Sequence, residues 1–177
     1  MNGNSDKAIS DFDIAIRLKP DNSLVYIHRG QAKLFSDRPN DKGVSDFTEA
    51  VRIDPTNSYA VIWLHIARRF AGQDDREELA RNASRVDQTR WPGPLLGLYL
   101  GMKSAEAVMA AAMSADDPKT LRERTCELDL YVGIYRTEGD TRSEARGLLE
   151  AAVHDCASQP IERAAAKAEL ATLEPTR

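Results

Sequence analysis

The sequence predicts an all-α fold, a right-handed superhelix of helical hairpins with inserted helices and a C-terminal capping helix, and three observations predict it. Ser45 to Ser58 (SDFTEAVRIDPTNS) rewrites Ser10 to Ser23 (SDFDIAIRLKPDNS) at a spacing of 45 − 10 = 35 residues, with identical pairs at Ser10/Ser45, Asp11/Asp46, Phe12/Phe47, Ala15/Ala50, Arg17/Arg52, Pro20/Pro55, Asn22/Asn57 and Ser23/Ser58. Self-similarity near this period marks a helical repeat, whose units bury their apolar faces only by stacking on their neighbours. Apolar positions recur at three and four residues, as in Ala8, Phe12, Ala15 and Ile16, which places them on one helix face. Gly and Pro fall mostly between the helical stretches, and β-branched runs are few.

Each copy reads as the second helix of a hairpin. In the second copy Gly43 replaces Ala8, and Phe47, Ala50 and Val51 continue the stripe. Small residues let helices approach closely, and the Phe fills what remains. Pro20 and Pro55 stop the helix, because Pro lacks the N–H donor and restricts the residue before it. The Asn-Ser that follows supplies a cap for the next helix.

The pattern small-x-x-x-Phe-x-x-Ala with Pro five residues on resembles the tetratricopeptide repeat, over Gly3 to Gly72. After Pro20, Tyr26, Arg29-Gly30 and Lys33 stand where that family places a large residue, an apolar-Gly pair and an aromatic. Gly30 matches; Arg29 and Lys33 depart from the pattern.

In chain order, residues 1–22 form a partial repeat. Gly3-Asn4 reads as the turn between the helices of a unit, so helix Ser5 to Lys19 lacks a preceding partner. Its stripe Ala8, Phe12, Ala15 and Ile16 is then an exposed edge, to be covered by a second copy in a two-fold dimer or left to fray in a truncated chain. Residues 23–57 form a repeat: helix Asn22 to Ser36, turn Asp37 to Asp41, return helix Asp41 to Asp54. Residues 58–90 form a degenerate one, with helix Asn57 to Ala71 (packing Val61, Leu64, Ala67 and Arg68), a turn at Gly72-Gln73 and a weak return helix Asp74 to Val86 that keeps Leu79, Ala83 and Val86. Residues 91–117 hold inserted helices: Trp91-Pro92-Gly93-Pro94 breaks the run, Leu95 to Leu100 is short and apolar, and Ser104 caps another helix through Met113. Residues 118–157 resume the repeat, with helix Lys119 to Thr137, a turn at Gly139-Asp140 and helix Arg142 to His154 on Ala145, Leu149 and Ala152. Residues 158–173 cap the solenoid through Ile161 to Leu173, with Ala164, Ala168 and Leu170 inward, and Glu174 to Arg177 fray.

The second half carries a further resemblance: Trp-Pro before a short apolar helix ending in Gly; Cys126-Glu127, Tyr131 and Gly133 on one helix; then Gly-Asp, Ala-Ala-Val, a second Cys, Ile161-Glu162 and Ala166 to Leu170. From Trp63 to Leu173 these look like the NlpI-type tetratricopeptide lipoproteins of Gram-negative envelopes. That resemblance implies a periplasmic, outer-membrane-anchored homodimeric adaptor that brings a protease and cell-wall hydrolases together. MNGNSDKAIS has neither an apolar signal segment nor a lipid-bearing Cys. The periplasm is therefore expected if the true N-terminus is missing, and the cytoplasm otherwise.

At 177 residues and 42% hydrophobic, the chain can bury a substantial core as a single domain, 1–177. A net charge of −4 and a pI near 5.5 speak against nucleic acid, and no apolar run approaches the roughly 20 residues of a membrane span. His28, His65 and His154 lie in no metal motif, and no GxSxG, phosphate loop or CxxC occurs. No cofactor, metal or catalytic set is expected. Asp74-Asp75 and Asp116-Asp117 read as helix openers rather than catalytic pairs. Arg68, Arg69, Arg76, Arg81, Arg85 and Arg90 read as a solvated face, with an anionic partner as the alternative; Trp63 and Trp91 read as packing residues.

Aligning Gly133 and Ala145 to the repeat puts Cys126 at the start of a first helix and Cys156 at the end of its return helix. Antiparallel helices bring those ends together, giving a disulfide in an oxidising compartment and two thiols otherwise. For function, the first helices of the units line the inner surface, presenting Leu24, Ile27, Gln31 and Phe35, then Tyr59, Ile62, Ile66, Arg69 and Phe70. This mix suits a protein or peptide partner held by a few anchors. The competing readings are a structural subunit of a larger assembly, with this surface filled as core, and a small helical hydrolase.

Overall fold

The computed structural model describes residues 2–35, 43–137 and 141–173. The turns expected at Asp37 to Asp41 and Gly139-Asp140, and the end at Glu174 to Arg177, lie outside the described residues. Those described form an all-α chain without strands, in ten α-helices. They are α1 (Asn2–Leu18), α2 (Ser23–Leu34), α3 (Val44–Ile53), α4 (Ser58–Phe70), α5 (Arg76–Ala83), α6 (Pro94–Tyr99), α7 (Ala105–Met113), α8 (Pro118–Arg136), α9 (Arg142–Asp155) and α10 (Pro160–Leu173), with a 3-10 turn at Cys156–Ser158. None of these helices is long and apolar enough to cross a membrane. The sequence reads as one domain over 1–177, but the packing divides into two compact units, Met1–Gln88 and Thr89–Arg177. The division falls where the repeat decays and Trp91-Pro92-Gly93-Pro94 interrupts it.

In the N-terminal unit α1, α2, α3 and α4 each pack on the next, and α5 packs on α4. Gly3-Asn4 lies inside α1, not at a turn. The helix ends follow the sequence signals: α1 stops two residues before Pro20 and α3 two before Pro55. Asn22 Oδ1 accepts from the Leu24 N–H at 3.2 Å and Asn57 Oδ1 from the Ala60 N–H at 3.2 Å, so the Asn rather than the Ser caps each following helix. Gly30 is required by contact. A Cβ there would lie 2.8 Å from the Phe47 ring, and one on Gly43, which has φ of 69°, would lie 2.4 Å from the Gly30 carbonyl oxygen. The backbones of α2 and α3 therefore meet at Gly30 and Gly43, and Phe47 fills the space beside them. Phe47 stacks on Trp63 at 6.2 Å, and Phe35 meets Trp63 edge-on at 5.8 Å.

The C-terminal unit is organised on α8, which packs against α7, α9 and α10. Leu130, Tyr131, Ile134 and Leu149 are fully buried, and a Cβ on Gly133 would meet Leu149 at 2.9 Å. The device of Gly30 and Phe47 is thus repeated in a second hairpin. Trp91 Nε1 donates to Glu127 Oε2 at 2.5 Å, and the Tyr99 hydroxyl donates to the Tyr131 carbonyl at 3.0 Å. The Glu127 carboxylate and the Tyr131 carbonyl on α8 are thereby engaged from the segment Trp91 to Tyr99. Cys126 lies within α8 rather than at its start, and is joined to Cys156 with the Cα atoms 5.0 Å apart. In α10 the buried residues are Ala165, Ala166 and Glu169, while Ala164 is exposed. Ala168 and Leu170 are half-buried, so the inward face is turned from the expected stripe by the joint packing on α9 and α8.

Candidate functional site

The nine residues expected to line an inner surface do not form one open face. Ile27, Gln31, Ile62 and Ile66 are buried, and Phe35 is half-buried against Trp63. On α4 every residue from Ala60 to Leu64, with Ile66 and Ala67, is buried, so α4 is a core helix over most of its circumference rather than a lining helix. Leu24 is exposed, and Tyr59, Arg69 and Phe70 are half-exposed, with the Arg69 guanidinium 5.1 Å from the Phe70 ring centre. These four are what an outside partner can reach.

The edge expected at Ala8, Phe12, Ala15 and Ile16 is half-buried, because α1 turns that stripe toward α2; Phe12 stacks on His28 at 6.0 Å. The outward apolar residues of α1 are Ile14 and Leu18, 47% and 81% exposed.

Arg29 and Lys33, the two departures from the repeat pattern, share one function. Arg29 donates to Asp46 through Nε at 3.1 and 3.2 Å and Nη2 at 2.5 Å, and to Asp13 through Nη1 at 2.7 Å; Lys33 Nζ lies 3.1 Å from Asp46. Asp46 is 2% exposed, so both cations answer one buried carboxylate. Each histidine has its own partner: His28 Nδ1 is 3.1 Å from Gln31 Oε1, His65 Nδ1 is 3.0 Å from both Asp75 oxygens, and His154 Nδ1 is 2.6 Å from Asp155 Oδ1. Asp75 precedes α5 without capping it, since its carboxylate is taken up by His65; Asp74 Oδ1 instead accepts from the Arg76 N–H at 3.2 Å. Asp117 caps α8, accepting from the Lys119 and Thr120 N–H groups at 3.0 and 2.9 Å. Arg68 pairs with Glu78 and donates to Gln73; Arg68 and Arg69 are half-buried, while Arg76, Arg81, Arg85 and Arg90 are exposed. Among the described residues no group of three His, Cys, Asp or Glu is placed to hold a metal.

The concavity that sequence reasoning missed lies in the C-terminal unit. α7, α8 and α9 enclose an apolar cleft of about 280 Å³, with Met109, Leu128, Val132 and Leu148 in its wall and Glu106, Asp129, Arg136 and Glu144 around them. The one sequence signal was Asp129 inside Leu128-Asp129-Leu130, a charge interrupting an apolar run. Burial, and secondarily the nearby Asp155 charge, push the Asp129 carboxyl up to about 6. Its folded value exceeds its unfolded value, so its protonated form is favoured in the fold. The associated stability is present at acid pH and lost as pH rises through about 6. Asp129→Asn should therefore stabilise the unit at about pH 7.5 by roughly 1–2 kcal/mol, after discounting for solvent access. It should have little effect at about pH 4. Urea denaturation at the two pH values checks this; equal effects at both would refute it.

These features define an all-helical protein with two structural units, an ion-locked repeat pair and an apolar acidic cleft. Compared with known proteins, the chain matches no family model and no curated protein.

Proposed function

We propose that this chain is a non-catalytic interaction scaffold of the tetratricopeptide type, holding a peptide or protein segment against its N-terminal unit. The observation that carries the reading is the interlock at Gly30, Gly43 and Phe47. There the helices approach through glycine backbones and an aromatic ring at the positions that match the repeat signature. Scaffolds of this kind are stacked hairpins that offer a surface rather than a reacting group. Leu24, Tyr59, Arg69 and Phe70 give that surface an apolar and aromatic anchor set with one cation. Under the NlpI-type resemblance the chain acts as a periplasmic adaptor for a protease or cell-wall hydrolases. The Cys126–Cys156 bond supports an oxidising compartment. In the homodimer of that reading, Ile14 and Leu18 are the apolar contacts that α1 offers a second copy.

A photo-crosslinker at position 59 in the native cell, compared with one at the exposed Thr48 on α3, tests the reading. A defined partner should be captured at 59 and not at 48. Arg69→Glu should reduce that capture about tenfold or more, the loss typical of an anchor residue, while circular dichroism stays unchanged. Identical captures from both positions would overturn the reading. So would unfolding of both Tyr59→Ala and Arg69→Glu, since those side chains would then be core.

A further inference from the structure

The cleft of the C-terminal unit points to a ligand class of its own, independent of the surface on the N-terminal unit. Its volume of about 280 Å³ is at the lower limit for a small-molecule site and suits one or two inserted side chains. Along α7 the apolar surface continues outward from the cleft: Met109 is 49% exposed, and Met113, one turn on, is also exposed. Exposed methionines adapt to the shape of an entering apolar group.

The charges around this apolar wall do not balance. Glu144 pairs with Arg136, which uses the cleft's cation. Arg136 also acts on Glu106, so one cation faces three carboxylates, Glu106, Asp129 and Glu144, and α7 (AEAVMAAAM) contains no Lys or Arg to add to it. A bond from Ser104 holds the Glu106 carboxyl below its ordinary range, so it is charged at neutral pH. The Asp155 charge also acts on Asp129 and adds to the negative field. Lys103 lies over Gly97 on α6, its nearest stem carbon 2.8 Å from where a Cβ would stand, and lines an adjoining depression that shares Glu106, Arg136 and Glu144 with this cleft.

An apolar floor bordered by three carboxylates and a single cation is complementary to a segment with apolar and basic side chains one helical turn apart. We propose that this cleft docks a cationic amphipathic peptide segment of a partner protein: an apolar side chain enters between Met109 and Val132, and a Lys or Arg one turn away reaches Glu106 and Asp129.

Calorimetric titration of the full chain with a peptide of about 18 residues, Leu and Lys in helical amphipathic order, tests this. Saturable one-to-one binding is expected, with none for the peptide in which Glu replaces Lys. A scrambled peptide of equal composition should bind at least tenfold more weakly. Met109→Lys and Glu106→Lys, both at exposed positions, should each weaken binding at least tenfold. Glu77→Lys, the same change of charge at an exposed position on α5 that lines no part of the cleft, should change it less than about twofold, because a charge beyond the screening length adds little. An equal loss with Glu77→Lys, or equal binding of the scrambled peptide, would reduce the effect to net charge and overturn the proposal. Sedimentation equilibrium covers the other occupant. A dimer that Met109→Lys dissociates, with no peptide bound by wild type, would assign the cleft to a second copy and reject the peptide.

Discussion

Asp46→Ala should lower the unfolding free energy of the N-terminal unit by about 3–5 kcal/mol, the cost of removing one partner from a buried ion pair. The cost arises on the cationic side. Arg29 and Lys33 both turn to Asp46, and neither is well exposed. Without the carboxylate both cations lose their buried counter-charge in a poorly solvated site, and Arg29 keeps the half-exposed Asp13. Asp13→Ala is the control. That carboxylate is 43% exposed, and an ion pair so placed contributes roughly 0–1 kcal/mol. A domain of this size has only about 5–15 kcal/mol in total, so the two variants should be well separated in urea denaturation. Equal losses at Asp13 and Asp46 would mean that the cluster is a surface feature and that Phe47 packing holds α2 to α3 unaided.

The same cluster shows how far the repeat could be read in the sequence and where it stopped. Asp11 and Asp46 are the same letter in the two copies, yet Asp11 is exposed and Asp46 is buried. The difference is set by the facing helix: α3 packs on α2, which carries Arg29 and Lys33. Arg29 and Lys33 were legible as departures from a pattern, not as partners of a residue 17 and 13 positions on (46 − 29 and 46 − 33). Proline stops, Asn caps and the Gly30 contact were legible because each depends on neighbours within a few residues or on one small-for-large exchange. The surface of α4 was not. Periodicity marks which residues share a face, but a helix such as SYAVIWLHIARRF is apolar nearly all round and does not declare how many faces are covered. The cleft was hidden for another reason. Glu106, Asp129 and Glu144 come from three helices, and only packing brings them round one apolar wall.

Loss of the Cys126–Cys156 bond should have a comparable effect on the C-terminal unit. The bond closes a loop with a sequence separation of 30, and restraining the unfolded chain over that length stabilises by about 3–4 kcal/mol in the chain-entropy model. The expected position of Cys126 at a helix start was wrong, but the pairing does not depend on it. α8 and α9 form one hairpin, and the 3-10 turn after α9 returns Cys156 to the middle of α8. Both half-cystines are almost fully buried, at the base of α10, so a thiolate reductant reaches them only when the unit opens. Two observations are therefore expected together. Protein purified under oxidising conditions should take up no alkylating label until it is denatured and reduced. The double variant Cys126→Ala and Cys156→Ala, which introduces no buried polar group, should unfold at lower urea by about 3–4 kcal/mol. Two labelled thiols on the native oxidised protein would rule out the bond. A double variant within about 1 kcal/mol of wild type would show that the α8–α9 hairpin already restrains the chain over this loop, leaving the bond little to add.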